Sequence, residues 1–184
     1  MKVRSLHLEL TYDDPAFSWV HEKEGYENLG KLGTYMNGEF GLPALEEYDL
    51  TFKLVDCREK LPTIEDIADI CRKHDAIMLY TGTMEKYGYT SKEYQEHTPE
   101  VLKDVVEAMI SLKPHFILVD AAAIDKHSLP RKHAEKMAAE QSCYIINNVN
   151  MDKSMLETLS GTLKIEVDET FESIMKPCKV YQYL

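Results

Sequence analysis

The chain has 184 residues, 44% of them hydrophobic and 29% charged, which is ordinary globular usage and excludes a disordered or collagen-like chain. Lysine and arginine total 21 against 32 for aspartate and glutamate, a net charge of −11 at pH 7. A field of that sign repels phosphate backbones and anionic lipid, and no lysine- or arginine-dense block offsets it, so nucleic acid is not an expected partner.

Along the chain, Leu6, Leu8 and Leu10 alternate with His7 and Glu9, which predicts a half-buried strand. Residues 11–49 show no period. A structureless segment of that length reads as a long functional loop, or as an arm reaching a partner subunit. Leu50, Phe52 and Leu54 alternate with Thr51 and Lys53 in a second strand. Thr63 opens a helix with Ile64, Ile67, Ala68 and Cys71 inward. Residues 76–80 are apolar throughout, as are 116–119 and 143–146, which suits strands covered on both faces.

Between these runs lie helical patterns. Thr98 is a candidate N-cap with Pro99 at the first helical position, followed by Val101, Leu102, Val105, Val106, Met109 and Ile110 on one face. Ser128 opens another helix running to Gln141, with Ala134, Met137 and Ala138 inward. Leu163, Ile165 and Val167 alternate in a further strand, and 179–184, rich in valine and tyrosine, is the last. Strand, helix, strand, helix, strand over 76–146 makes two crossover units, so those strands are expected to be parallel. The alternating strands read as antiparallel, with one wet face. The fold class is α/β: a central sheet carrying crossover helices, with a second layer of antiparallel strands, in a single domain over 1–184.

No apolar run approaches the roughly 18 residues of a membrane span, and the N-terminal stretch turns polar too soon for a signal peptide. Cys57, Cys71, Cys143 and Cys178 form no C-x-x-C pair and lie in or beside apolar segments, as reduced core thiols do. A cytoplasmic protein is expected, with no membrane partner.

Ligands of parallel sheets gather beyond the carboxyl ends of the strands. Those positions carry Thr81, Gly82 and Thr83, then Asp120 with Asp125 and His127 on the following loop, then Asn147 and Asn148. They either line one pocket or cap strand and helix ends. His133, on the inner face of its helix, is either a core histidine or a member of that pocket. The chain has no H-E-x-x-H, no G-x-S-x-G elbow, no Walker loop and no G-x-G-x-x-G, and its cysteines lack the surroundings of a nucleophile.

With these segments in order the chain resembles the cyclase family, whose best-known members are the bacterial kynurenine formamidases. The resemblance runs from about Leu6 to the end. DAIMLYTGTMEKYG (75–88) is similar to the family's strand ending in Thr-Gly, and FILVDAAAID (116–125) to its strand ending in Asp with a second Asp after a short loop. LPRKHAEKM (129–137) resembles its histidine-bearing helix start, and YIINNVNMDKSM (144–155) its Glu-Asn-Leu segment followed by Asn-Leu-Asp.

The family's H-x-G-T-H-x-D-x-P-x-H signature supplies zinc ligands and a catalytic histidine. The matching stretch is KLGTYMNGEFG (31–41), where Gly33 and Thr34 agree. Lys31 stands at the first ligand histidine, Tyr35 at the second, Asn37 at the aspartate and Gly41 at the catalytic histidine. Asn147 stands at the family's glutamate ligand. His133 alone survives as a candidate ligand, at a spacing from Asn147 somewhat longer than the family's.

Zinc needs neutral imidazole, thiolate or carboxylate. Lysine repels a cation, asparagine has lost the charge, and tyrosine would have to deprotonate from near pH 10. Without the metal, water keeps its high pKa and is no nucleophile at neutral pH. The expectation is a divergent member with no metal or other cofactor, binding a small molecule in a vacated pocket of Tyr35, Asn37, Thr81, Asp120, Asp125, His127, His133 and Asn147. Three competing readings stand beside it. One is a metal-independent enzyme using Asp125, His127 and His133 as acid and base. Another is the family's own hydrolysis of an amide or formamide. The third is a structural subunit that makes contact through 11–49. The resemblance also implies a homodimer or higher homo-oligomer.

Overall fold

A computed structural model describes residues 2–9, 33–70, 74–89, 91–125 and 133–184. The strands are β1 (Val3–Ser5), β2 (Tyr35–Asn37), β3 (Glu47–Asp56), β4 (Ala76–Tyr80), β5 (Phe116–Val119), β6 (Tyr144–Asn147), β7 (Ser160–Val167) and β8 (Met175–Tyr183). The helices are α1 (Ile64–Ala68), α2 (Thr83–Tyr87), α3 (Lys92–Glu96), α4 (Lys103–Ser111) and α5 (His133–Ala139), with a 3-10 turn at Lys153–Glu157.

The strands form one sheet in the order β1-β8-β2-β6-β5-β4-β3-β7, and β7 also pairs with β8, so the sheet closes on itself. β8 makes the closure possible by its length. Residues 175–177 pair with β2, residues 181–183 pair with β1 along the same edge, and 178–183 pair with β7 along the other. β3, β4, β5 and β6 are mutually parallel, so β3, expected from its alternation to be antiparallel, is so only toward β7; β8 pairs antiparallel with β7 and with β2, and β2 antiparallel with β6. The antiparallel strands thus form the second layer by curling back over the parallel ones.

The continuous apolar runs have the expected cause. In β4, Ala76, Met78 and Tyr80 face the barrel interior while Ile77 and Leu79 face the helices. In β5, Phe116 and Leu118 face inward while Ile117 and Val119 meet Val105, Val106 and Met109 in the outer cluster. In β3, only the alternating Leu50, Phe52 and Leu54 are fully buried; they enter the interior opposite Leu163 and Ile165. α1 begins where Thr63 predicts it, with a reciprocal capping box to Asp66, but of the residues read as inward only Ile67 is buried: Ile64 and Ala68 face solvent, and Cys71 lies outside the described residues.

Three further expectations are corrected. The N-terminal strand is Val3–Ser5, not 6–10. Leu6 reaches the interior and bonds Val180, but the Leu8 amide donates to the Thr34 hydroxyl instead of a strand partner, and Leu10 lies outside the described residues. Within 11–49, residues 33–49 are not structureless: β2 lies inside the sheet between β8 and β6, and β3 begins at Glu47. Residues 11–32, with Lys31, lie outside the described residues. Finally, α4 starts at Lys103, not Pro99. The Val101 amide donates to the Ile124 carbonyl at 2.8 Å, which holds the backbone extended through Leu102. Leu102 accordingly faces solvent, and the Thr98 hydroxyl donates to the Gln95 carbonyl at the end of α3. The start of the helix before His133 also lies outside the described residues.

Candidate functional site

The ends of β4 and β5 hold one polar group. Asp120 follows β5 and is fully buried. Its Oδ1 accepts from the Thr81 amide and the Thr81 hydroxyl, and its Oδ2 from the Gly82 amide, all at 2.7 Å. Burial nevertheless dominates, and the carboxyl pKa is pushed up to about 6 against the opposing pull of these donors. The Thr81 hydroxyl, having donated to Asp120, accepts from the Thr83 hydroxyl at 2.6 Å. Gly82 has φ +70, the left-handed region that favours glycine, and a Cβ there would lie 3.2 Å from Arg58 Cγ, so that side chain would have to shift to admit one.

Above this turn a cleft of about 350 Å³ opens. Arg58 after β3, Thr81–Thr83, Lys86 and Tyr87 of α2, and Glu96 to Thr98 around the end of α3 form its walls. The Arg58 guanidinium forks onto Asp56 at 2.9 and 2.8 Å, which holds that carboxyl below the usual range, and its Cζ lies 5.4 Å from the Tyr80 ring centre. The Tyr80 hydroxyl bonds Glu85.

A second polar group lies on the outer face of β2 and β6. Tyr35 is the cross-strand partner of Asn147, so Tyr35, Asn37 and Asn147 share the face turned toward α5, while Met36 and Ile146 enter the barrel. Asn37 Nδ2 donates to Glu135 Oε2 at 2.6 Å, and Asn147 Nδ2 to Glu135 Oε1 at 3.1 Å. Asn37 Oδ1 accepts from the Glu39 amide. The Tyr35 hydroxyl donates to the Ala122 carbonyl at 3.2 Å. Asn148, at φ +56, ties the region together: its Nδ2 donates to the Gly33 carbonyl, its Oδ1 accepts from Tyr94, and its carbonyl accepts from the Thr34 hydroxyl.

The structure therefore divides the residues singled out from sequence. Thr81 and Asp120 belong to the β4–β5 group; Tyr35, Asn37 and Asn147 belong to the β2–β6 group. Asp125 accepts from the Ala134 amide and caps the described start of α5. His133 is half-buried at that start and has no hydrogen bond to either group among the described residues. His127 lies outside the described residues. Sequence reasoning missed Glu135, whose only signal is its place on a helix between the inward Ala134 and Ala138. It also missed Arg58, Lys86 and His97, which share no segment.

The resemblance implies a zinc ion, and the β2–β6 group does not suit one. Both amides turn N–H toward a carboxylate, where a cation would require their oxygens. Among the described residues no three of histidine, cysteine, aspartate and glutamate converge as metal ligands. The thiols are no alternative: Cys57, Cys143 and Cys178 are buried, and burial pushes Cys57 and Cys143 up to about 12. Cys71 lies outside the described residues. Among the described residues no helix is long and apolar enough to cross a membrane.

No family model matches this sequence, and no curated protein matches it. Solved structures do match. A potential metal-dependent hydrolase with cyclase activity has a TM-score of 0.68 at 13% identity, over 98% of this chain and 96% of that one. Isatin hydrolase A from Labrenzia aggregata, bound to benzyl benzoate, has a TM-score of 0.69 at 11% identity, over 98% and 93%. A protein described as a novel cyclase has a TM-score of 0.65 at 12% identity, over 100% and 88%. At these identities the likeness is one of fold: the chain has the mixed α/β fold of the cyclase-like, metal-dependent hydrolases.

Proposed function

We propose that this chain is a metal-free protein on the cyclase-like fold that binds a small molecule, with the ligand seated beyond the carboxyl ends of the parallel strands. One observation carries the reading. Asn37 and Asn147, which the resemblance sets at carboxylate ligands, both donate to the single carboxylate of Glu135. A protein side chain thus takes the amide donors, and the described residues present no cation cage. The cleft over Thr81 and Gly82 supplies a seat of ligand size. The likeness to an isatin hydrolase favours a second reading, metal-dependent hydrolysis of an amide or formamide.

Elemental analysis of the purified, unchelated protein separates the two. The expected result is metal far below one ion per chain, with a melting temperature unchanged by chelator or by added zinc, since an ion that binds only the folded state would raise it. About one zinc or manganese per chain, lost to chelator together with stability, would overturn the proposal in favour of hydrolysis.

A further inference from the structure

The chemistry of the cleft narrows the ligand, on the reading that this chain is a binding protein. The chain is strongly acidic, yet the two fixed cations Arg58 and Lys86 converge here from separate elements, with His97 beside them. The carboxylates at the cleft are already engaged. Asp56 holds Arg58, Glu96 pairs with Lys92 at 3.3 Å, Glu85 takes the Tyr80 hydroxyl, and Asp120 is buried below under three donors. Lys86 has no carboxylate within ion-pair distance among the described residues; its ammonium lies 4.9 Å from the Tyr87 ring centre.

Hydrogen-bond polarity adds detail. His97 Nδ1 lies 2.8 Å from the Glu93 carbonyl, which only accepts, so Nδ1 carries the proton and Nε2 is left for a ligand. The imidazole stacks on Tyr87 at 4.1 Å between ring centres, and the two rings form one aromatic wall. On the floor, the ionised Asp120 sets the direction of the relay: Thr83 donates to Thr81, and Thr81 donates to Asp120. The Thr83 oxygen therefore offers lone pairs and no proton to the cleft.

We infer that this cleft binds a small molecule carrying an oxyanion, carboxylate or phosphate, together with a hydroxyl or amine donor. The oxyanion lies against Lys86 and Arg58, and the donor meets Thr83 or the lone pair of His97 Nε2. The shared chemistry is a charge-assisted contact to one end of the ligand and a neutral hydrogen bond at the other.

Thermal shift and calorimetric titration of the full chain test this with glycerate, glycerol 3-phosphate, inorganic phosphate and glycerol. Glycerate or glycerol 3-phosphate is expected to give a saturable rise in melting temperature, and whichever binds more tightly identifies the oxyanion. Glycerol is expected to give none. Lys86→Gln, at an exposed position that leaves the fold intact, is expected to weaken the anion at least about tenfold. Thr83→Val is expected to weaken the hydroxylated anions more than inorganic phosphate. Three results would overturn the inference: no saturable shift with any of the anions, an equal shift from glycerol, or an equal shift in Lys86→Gln, which marks a general salt effect. Stoichiometric metal would defeat the binding-protein reading itself. A metal-free protein indifferent to these anions would leave that reading standing and sink this one alone.

Discussion

At the scale of single residues, Asp120 makes the clearest demand on pH. Its carboxyl titrates near 6 in the fold against an ordinary 3.8. A raised value means that the fold favours the protonated form. The stabilising contribution is therefore complete below about pH 4 and is lost as pH rises through about 6, a swing of about 3 kcal/mol. Asp56 and Asp152, held low by Arg58 and by Ser154 respectively, act in the opposite sense and lose their contribution as pH falls. The test is the difference in unfolding free energy between the wild type and Asp120→Asn from pH 4 to 7. It is expected to change by a few kcal/mol across that range, because the variant has no proton to lose there. A difference flat with pH would mean that the three donors outweigh burial at this site.

The elements show how far local signals reach. Thr63 is read correctly because a capping box closes within four residues and needs nothing from the rest of the chain. Thr63→Ala is expected to cost about 1 kcal/mol and to lower the melting temperature by about 2–4 °C; an unchanged melting temperature would show that α1 is held by Ile67 packing alone. α4 is the contrary case. Thr98 and Pro99 make a plausible helix start, but the Ile124 carbonyl claims the Val101 amide, and the helix waits until Lys103. Short α2 and α3 carry little periodicity, so neither is legible in advance, although Ser91 caps α3 in the usual manner.

At the scale of the whole molecule, closure depends on β8, which contacts β1, β2 and β7 and buries Cys178 and Val180 in the interior. Truncation after Pro177 removes the pairing that joins the two ends of the sheet. The expected outcome is loss of the cooperative thermal transition, followed by far-ultraviolet circular dichroism, rather than a modest drop in melting temperature. A cooperative transition in the truncated chain would show that the parallel half folds without its cover.

The candidate site divides along the same line. The α/β class, the parallel order of 76–80, 116–119 and 143–146, the one-faced strands and the polar residues at strand ends all follow from the sequence by itself. Hydrophobic period and capping are local properties of a chain. Tertiary structure alone decided that the sheet closes, that Glu135 lies between Asn37 and Asn147, and that Arg58, Lys86 and His97 face one cleft. Sheet register and crossover packing bring such residues together from distant segments, and no local pattern in a single sequence records them.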